Sequence, residues 1–138
     1  MLEGLNETTW TTGDLLERLE RCEKFFVLDV RNRDEFGRFR IEGREPLPAA
    51  NVPYFEMLEL GGKDEMVDSV VAYIEQHMAN QLPHALPILS VCAKGDTSEY
   101  VAQGLHRLGY ASANLKGGMK AWGLHTRLPV EKQHESVL

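Results

Sequence analysis

Cysteine is scarce in this chain of 138 residues, which has only Cys22 and Cys92. The two are far apart in the sequence, and neither belongs to a Cys-x-x-Cys pair or to a Cys/His cluster with the spacing of metal ligands. This pattern argues against a disulfide framework and against a structural zinc site. A lone cysteine in a reducing compartment is instead a candidate for a reactive thiol.

Long apolar runs and an excess of basic residues are also missing. No run approaches the roughly 18 apolar residues of a membrane span, and the first residues have no basic start or apolar stretch typical of a secretory signal. The formal net charge is -6, with the acidic residues dispersed along the chain. We therefore expect a cytoplasmic protein that binds neither nucleic acid nor a membrane.

Length and composition predict one domain, over residues 1–123, followed by a polar tail over residues 124–138. Continuous apolar runs at 25–30 and 88–92 predict strands buried on both faces, with shorter strands at 50–52 and 112–115. Helices are predicted at 12–22, 33–39, 54–60, 63–81, 97–108 and 118–122. Strands that alternate with helices imply a parallel sheet with helices on both faces, whose ligands bind at the carboxyl ends of the strands.

The segment from Cys92 to Ser98 joins one of these carboxyl ends to the start of a helix. Gly95 gives this loop freedom to curve, so that successive backbone N–H groups can point into its concave side. The helix start adds partial positive charge, which stabilises an anionic sulfur. We therefore predict that Cys92 is a nucleophile and that the loop is an anion cradle, formed by Ala93, Lys94, Gly95, Asp96, Thr97 and Ser98.

Three motifs in this order give the chain its resemblance to the rhodanese domains, the thiosulfate sulfurtransferase family. The resemblance covers roughly residues 9–123. The motifs are Leu28-Asp29-Val30-Arg31 followed by a helix with Glu35-Phe36, the loop from Cys92 to Thr97 after Leu89-Ser90-Val91, and Leu115-Lys116-Gly117-Gly118-Met119-Lys120-Ala121-Trp122.

The resemblance implies a rhodanese-like three-layer α/β fold, with a central parallel sheet of about five strands and helices on both faces. It also implies that Cys92 takes the outer sulfur of thiosulfate or a similar small-molecule donor as a persulfide and passes it to cyanide or a thiol, including the thiol of a protein partner. No metal or organic cofactor is needed for this reaction.

Two functions of other classes, a phosphatase and an interaction module, are alternatives to sulfur transfer. A phosphatase is disfavoured because the position six after Cys92 is Ser98, and no basic residue follows until Arg107, so a phosphate would have no bidentate clamp. A sulfur-carrier or regulatory interaction module with little turnover stays open. The segment Arg40-Ile41-Glu42-Gly43 departs from the usual family pattern and resembles rhodanese modules that work beside metallo-β-lactamase-fold enzymes of sulfur oxidation.

Three further side chains bear on the binding of a donor, and two of them have two interpretations each. Lys94 either steers an anionic donor or is a solvated loop lysine. Arg31 is a candidate for substrate binding at the rim of the sheet, but a structural pair with Asp29 is the favoured interpretation. Asp96 places a negative charge in a loop that holds anions, which is expected to weaken activity on thiosulfate.

Overall fold

The computed structural model describes residues 8–126. This part of the chain contains five strands, six α-helices and one π-helical segment. In order they are β1 (Thr8–Trp10), α1 (Thr12–Glu20), β2 (Phe26–Asp29), α2 (Arg33–Arg38), β3 (Ala49–Asn51), α3 (Tyr54–Gly61), α4 (Met66–Tyr73), the π-helical segment (Ile74–Met78), β4 (Ile88–Val91), α5 (Thr97–Arg107), β5 (Ser112–Leu115) and α6 (Gly118–Thr126).

The five strands form one parallel sheet in the order β1-β5-β4-β2-β3. The expected α/β fold with a parallel sheet is therefore confirmed. The central strand β4 pairs with β2 on one side and with β5 on the other, and every residue of these three strands is buried. Burial on both faces explains why β2 and β4 are mainly apolar runs without alternation, whereas β5 buries two polar side chains, Ser112 and Asn114.

The two faces of the sheet carry separate apolar cores. One face packs against α3, α4, the π-helical segment and α5, through buried side chains such as Met57, Val70, Ile74 and Leu105. The other face packs against α1 and α6, through Leu15, Leu19, Met119 and Trp122. The helices thus hold the sheet rigid from both sides, and its carboxyl edge is left for the site.

The start of α1 is fixed by local hydrogen bonds. The Thr11 side chain accepts from the Asp14 N–H (3.0 Å), and the Asp14 carboxylate accepts from the Thr11 N–H (2.9 Å). This reciprocal capping box satisfies two backbone donors that a helix start leaves unpaired. It also accounts for the lowered pKa of Asp14, whose main cause is the hydrogen bond from the Thr11 backbone.

Three elements differ from the sequence-based prediction. Strand β1 was not predicted, because three residues at a sheet edge give too short a pattern. The predicted helix at 63–81 begins only at Met66, since the Ser69 hydroxyl binds both the N–H and the carbonyl of Lys63, and it continues as the π-helical segment from Ile74.

The last helix is longer than predicted, because it continues to Thr126 instead of ending at residue 122. It thereby crosses the predicted domain boundary at residue 123. The rest of the predicted tail lies outside the described residues. Within residues 8–126, no helix has the length and apolar character needed to cross a membrane.

Candidate active site

Cys92 follows the last residue of β4, at the carboxyl edge of the sheet. Its neighbour strand fixes this end, because the Val30 N–H donates to the Val91 carbonyl (2.8 Å). The Cys92 side chain is buried, with 4% of the residue exposed. Cys22, by contrast, is exposed and lies after α1, outside this site.

The sulfur of Cys92 is surrounded by hydrogen-bond donors from its own loop. The Gly95 N–H donates to Sγ at 3.0 Å, and the Ser98 N–H donates at 3.4 Å. The Ser98 hydroxyl oxygen lies 3.2 Å from Sγ. These donors point partial positive charges at the sulfur and can therefore stabilise a negative charge that forms on it.

Three carbonyl groups of the loop are bound by later parts of the chain, while the Gly95 and Ser98 N–H groups face the sulfur. The first two N–H groups after Gly118 in α6 hold two of these carbonyls: Met119 donates to the Cys92 carbonyl and Lys120 to the Ala93 carbonyl, both at 2.9 Å. The Asn114 side-chain amide donates to the Gly95 carbonyl at 3.0 Å. The loop is thus shaped by β5 and α6, which lie beyond it in the sequence.

Glycine is required where these segments touch. Gly95 has φ +95°, and a Cβ there would lie 2.8 Å from the Gly117 nitrogen. Gly118 has φ +63°, and a Cβ there would lie 2.5 Å from the Cys92 carbonyl oxygen. The Gly117-Gly118 pair therefore serves a backbone-to-backbone contact with the Cys92 loop.

Asp96 takes one of the predicted cradle amides for itself. Its Oδ1 accepts from the Thr97 N–H at 2.8 Å and lies 3.8 Å from the Cys92 sulfur. The hydrogen bond from the Thr97 backbone is the main reason why the pKa of Asp96 is below its ordinary value, and the nearby charge of Lys94 contributes. The structure therefore directs the Gly95 and Ser98 amides to the sulfur, and gives the Thr97 amide to a carboxylate.

Of the remaining predicted site residues, Ala93 and Lys94 are exposed at the mouth of the loop. Arg31 is turned inward. Its guanidinium binds the Asp29 carboxylate, with a shortest distance of 2.8 Å, and donates to the Phe39 carbonyl at 2.6 Å. Both side chains of this ion pair are buried. Arg31 thus braces β2 and the segment after α2, as the favoured structural interpretation expects.

Tyr54, Asn114 and Ser90 were not among the predicted site residues. The Tyr54 hydroxyl oxygen is buried, and burial together with the charges of Tyr100 and Cys92 raises its pKa. Asn114 immediately precedes the Leu115-to-Trp122 motif, and Ser90 precedes Val91 in β4. Nothing in the local sequence marks these residues. Asn114 binds Ser98 and Gly95, which are distant in the sequence, and the hydroxyls of Tyr54 and Ser90 have no hydrogen-bond partner within residues 8–126.

No group of His, Cys, Asp and Glu within residues 8–126 is arranged to hold a metal ion. The donors around Cys92 are arranged to stabilise negative charge on one buried sulfur.

Comparison with known proteins assigns the family. The Rhodanese-like domain family matches residues 11–125, which is most of the chain. The chain belongs to this family. The resemblance that the sequence motifs suggested is therefore confirmed, and none of the curated proteins compared with the chain matches it.

Solved structures show how widely this rhodanese-like fold is shared. A rhodanese-like domain protein from Staphylococcus aureus is 24% identical, with a TM-score of 0.60, and the match covers 84% of this chain and 91% of that one. A rhodanese-related protein from Thermoplasma volcanium is 19% identical, with a TM-score of 0.59 and coverage of 86% and 92%. A rhodanese homologue from Thermus thermophilus is 26% identical, with a TM-score of 0.50 and coverage of 82% and 98%.

Proposed function

We propose that this rhodanese-like domain is a sulfurtransferase, which takes sulfane sulfur from thiosulfate or a similar anionic donor as a Cys92 persulfide and gives it to cyanide or a thiol. The observation that carries the proposal is the set of donors around one buried sulfur. Two backbone N–H groups point at Sγ, while the carbonyls of Cys92, Ala93 and Gly95 are bound elsewhere.

The reaction balances without a cofactor. The Cys92 thiolate attacks the outer sulfur of thiosulfate, a bond forms between Sγ and that sulfur, and the S–S bond of thiosulfate breaks. Sulfite leaves with the electron pair of that bond. Cyanide then attacks the outer sulfur of the persulfide, thiocyanate leaves, and the thiolate is restored. The N–H groups of Gly95 and Ser98 stabilise the negative sulfur at the beginning and end of this cycle.

The charges at the mouth favour a small anion only weakly. Lys94 is exposed and lies close enough to Asp96 to lower the pKa of that carboxyl, so the two charges partly offset each other. The guanidinium of Arg107, the first basic residue after Lys94, pairs with Asp68 at 2.7 Å. A phosphate would therefore find no arginine clamp, which supports sulfur transfer over phosphoryl transfer.

The test is turnover of thiosulfate with cyanide, measured as thiocyanate. We expect steady turnover in the wild type and in the matched control Cys22→Ser, because Cys22 lies outside the site. Cys92→Ser should be inactive, since a serine oxygen cannot form a persulfide. Turnover in Cys92→Ser would refute the mechanism, and so would a comparable loss in Cys22→Ser.

A sulfur carrier for a protein partner is the second candidate, favoured by the Asp96 carboxylate 3.8 Å from the sulfur. That charge repels a small dianion such as thiosulfate. A carrier is expected to accept sulfur from a low-molecular-weight persulfide yet to turn over thiosulfate no faster than Cys92→Ser does. An enzyme of sulfur oxidation with a metallo-β-lactamase fold is one such partner.

A further inference from the structure

One hydroxyl proton at the site has two acceptors. The Ser98 hydroxyl oxygen lies 2.5 Å from Asn114 Oδ1 and 3.2 Å from Cys92 Sγ, and the Ser98 side chain is buried. A serine hydroxyl carries a single proton. Its direction therefore decides whether the sulfur faces a donor or a lone pair.

Asn114 holds its oxygen toward Ser98. Its Nδ2 donates to the Gly95 carbonyl at 3.0 Å, which fixes the orientation of the amide. The short distance between Ser98 Oγ and Asn114 Oδ1 requires a proton between the two oxygens. While Cys92 is a neutral thiol, the Ser98 proton therefore points to Asn114. The thiol S–H can then donate to Asp96 Oδ1, 3.8 Å from Sγ, or to Ser98 Oγ.

Ionisation of the Cys92 thiol reverses the direction of these hydrogen bonds. The S–H bond breaks, its proton leaves to water, and the electron pair stays on sulfur. The thiolate is then the stronger acceptor, and the Ser98 proton turns toward it. Asn114 Oδ1 is left without its donor in a buried position, which opposes ionisation.

Ser90 is placed to relieve that cost. It is directly opposite Asn114 in the β4–β5 register, so both side chains point to the same face of the sheet. Ser90 is fully buried, and its hydroxyl has no hydrogen-bond partner within the part of the chain that the structure describes. The Ser90 hydroxyl is thus a donor without a partner, on the residue opposite Asn114. Asn114 Oδ1 loses its own donor whenever Cys92 ionises, so Ser90 completes the hydrogen-bond network.

We propose that Asn114 is a positioning residue, which holds the Ser98 proton away from Cys92 while Cys92 is a thiol. When the Ser98 hydroxyl turns to the thiolate, the Ser90 hydroxyl takes its place as the donor to Asn114. The inference rests on the proposed function in taking Cys92 as the reacting group. Other titratable groups near the sulfur are Asp96 and Lys94 on the loop, Tyr54 of α3 and Tyr100 of α5. All four are kept unchanged in the experiment.

The experiment measures the rate of alkylation of Cys92 by iodoacetamide against pH, with Cys22→Ser as the background. Ser98→Ala should raise the pH midpoint of the reaction, because the thiolate loses a donor. Asn114→Ala should lower it by about half a unit, equivalent to about threefold faster alkylation below the midpoint. In the double variant the part of this shift that passes through Ser98 should be absent, so the midpoint should lie close to that of Ser98→Ala.

Asn114→Ala also releases the Gly95 carbonyl, an effect that does not depend on Ser98 and that the double variant isolates. An equal shift with and without Ser98 would overturn the inference, and so would a raised midpoint in Asn114→Ala alone.

A second pair of variants serves if Asn114→Ala does not fold. Ser90→Ala should raise the midpoint, because the thiolate state loses the replacement donor. Ser112→Ala is the matched control: it is a buried serine of β5 whose hydroxyl donates to the Ala102 carbonyl (2.8 Å), and it should leave the midpoint unchanged. Equal midpoints for these two variants would contradict the role of Ser90.

Alkylation requires no sulfur donor, which separates the two proposals. Normal alkylation behaviour in a protein that transfers no sulfur would refute the proposed function and leave this inference standing. If the protein transfers sulfur but its alkylation midpoint is the same with and without the Asn114 side chain, this inference is refuted and the proposed function stands.

Discussion

The contact between Gly118 and the Cys92 loop can be tested with two glycines of nearly equal conformation. Gly118 has φ +63°, and Gly62, at the end of α3, has φ +68°. A Cβ at Gly118 would lie 2.5 Å from the Cys92 carbonyl oxygen and 2.6 Å from the Ala93 carbonyl carbon, whereas a Cβ at Gly62 would meet nothing within 4 Å. Alanine at either position has the same backbone strain, but only Gly118→Ala has a collision.

The expected magnitudes follow from this difference. Left-handed backbone costs alanine about 1–2 kcal/mol, and the loss of unfolded-state entropy that accompanies Gly→Ala returns about 0.4–1 kcal/mol. Gly62→Ala should therefore lose up to about 1.5 kcal/mol of unfolding free energy. Overpacking adds about 1–3 kcal/mol, so Gly118→Ala should lose about 1–4.5 kcal/mol, in each case more than Gly62→Ala.

The collision should also reach the chemistry. Atoms of Cys92 and Ala93 must move away from a new Cβ, and the loop amides are displaced from the sulfur with them. A hydrogen bond to a charged group is worth about 1.5–3 kcal/mol. Losing one should slow alkylation of Cys92 near neutral pH by about tenfold or more in Gly118→Ala, at about 1.4 kcal/mol for each factor of ten. Gly62→Ala should alkylate at the wild-type rate.

Stability can be measured by urea unfolding, followed through the fluorescence of the buried Trp10 and Trp122. Alkylation is measured in the Cys22→Ser background, because Cys22 is exposed and reacts as well. Equal losses of unfolding free energy in the two glycine variants would refute the reasoning. Unchanged alkylation in Gly118→Ala would show that α6 does not shape the loop.

Further predictions concern the charges around the site. Lys94→Gln should lower kcat/KM for thiosulfate about fivefold, and Asp96→Asn should raise it about fivefold. Both figures correspond to about 1 kcal/mol for a solvated charge pair at about 4 Å. The double variant should have a kcat/KM close to that of the wild type, and added salt should shrink both effects. The lowered pKa of Asp96, due mainly to its hydrogen bond from the Thr97 backbone, stabilises the fold above the ordinary carboxyl pKa of about 3.9 and is lost as the pH falls through the folded-state value. The stability advantage of the wild type over Asp96→Asn, measured by urea unfolding, should therefore diminish below about pH 4. Arg31→Leu should lose about 3–5 kcal/mol of unfolding free energy, because Asp29 is left charged and buried; a small loss of stability together with a raised KM for the donor would instead show that Arg31 binds substrate.

The sheet could be predicted from the sequence because its central strands are short apolar runs, each followed by a helix. The segment at 26–29 and the segment at 88–91 appear within one or two residues of their predicted ends. Strand β1 could not be predicted, since its three residues are held in place by pairing with β5. The change from α4 to the π-helical segment after Tyr73 could not be predicted either. Ile74 and Met78 of that segment are both buried in the core, which the local sequence pattern does not show.

The position of Cys92 could be predicted for the same reason, because a strand end and a helix start place it at the carboxyl edge of the sheet. The arrangement around its sulfur depends on contacts across the sheet. Asn114 reaches the loop from the next strand, and Gly118 reaches it from the start of α6. A local pattern also suggests that every amide of the loop faces inward, whereas the Thr97 amide binds Asp96.

The most direct test of the central claim is the intact mass of the Cys22→Ser protein after incubation with thiosulfate. Persulfide formation on Cys92 predicts a gain of the mass of one sulfur atom, which disappears on addition of cyanide. The variant carrying both Cys22→Ser and Cys92→Ser should show no gain. A Cys22→Ser protein that gains no sulfur from thiosulfate, or a variant without Cys92 that gains it, would contradict the claim.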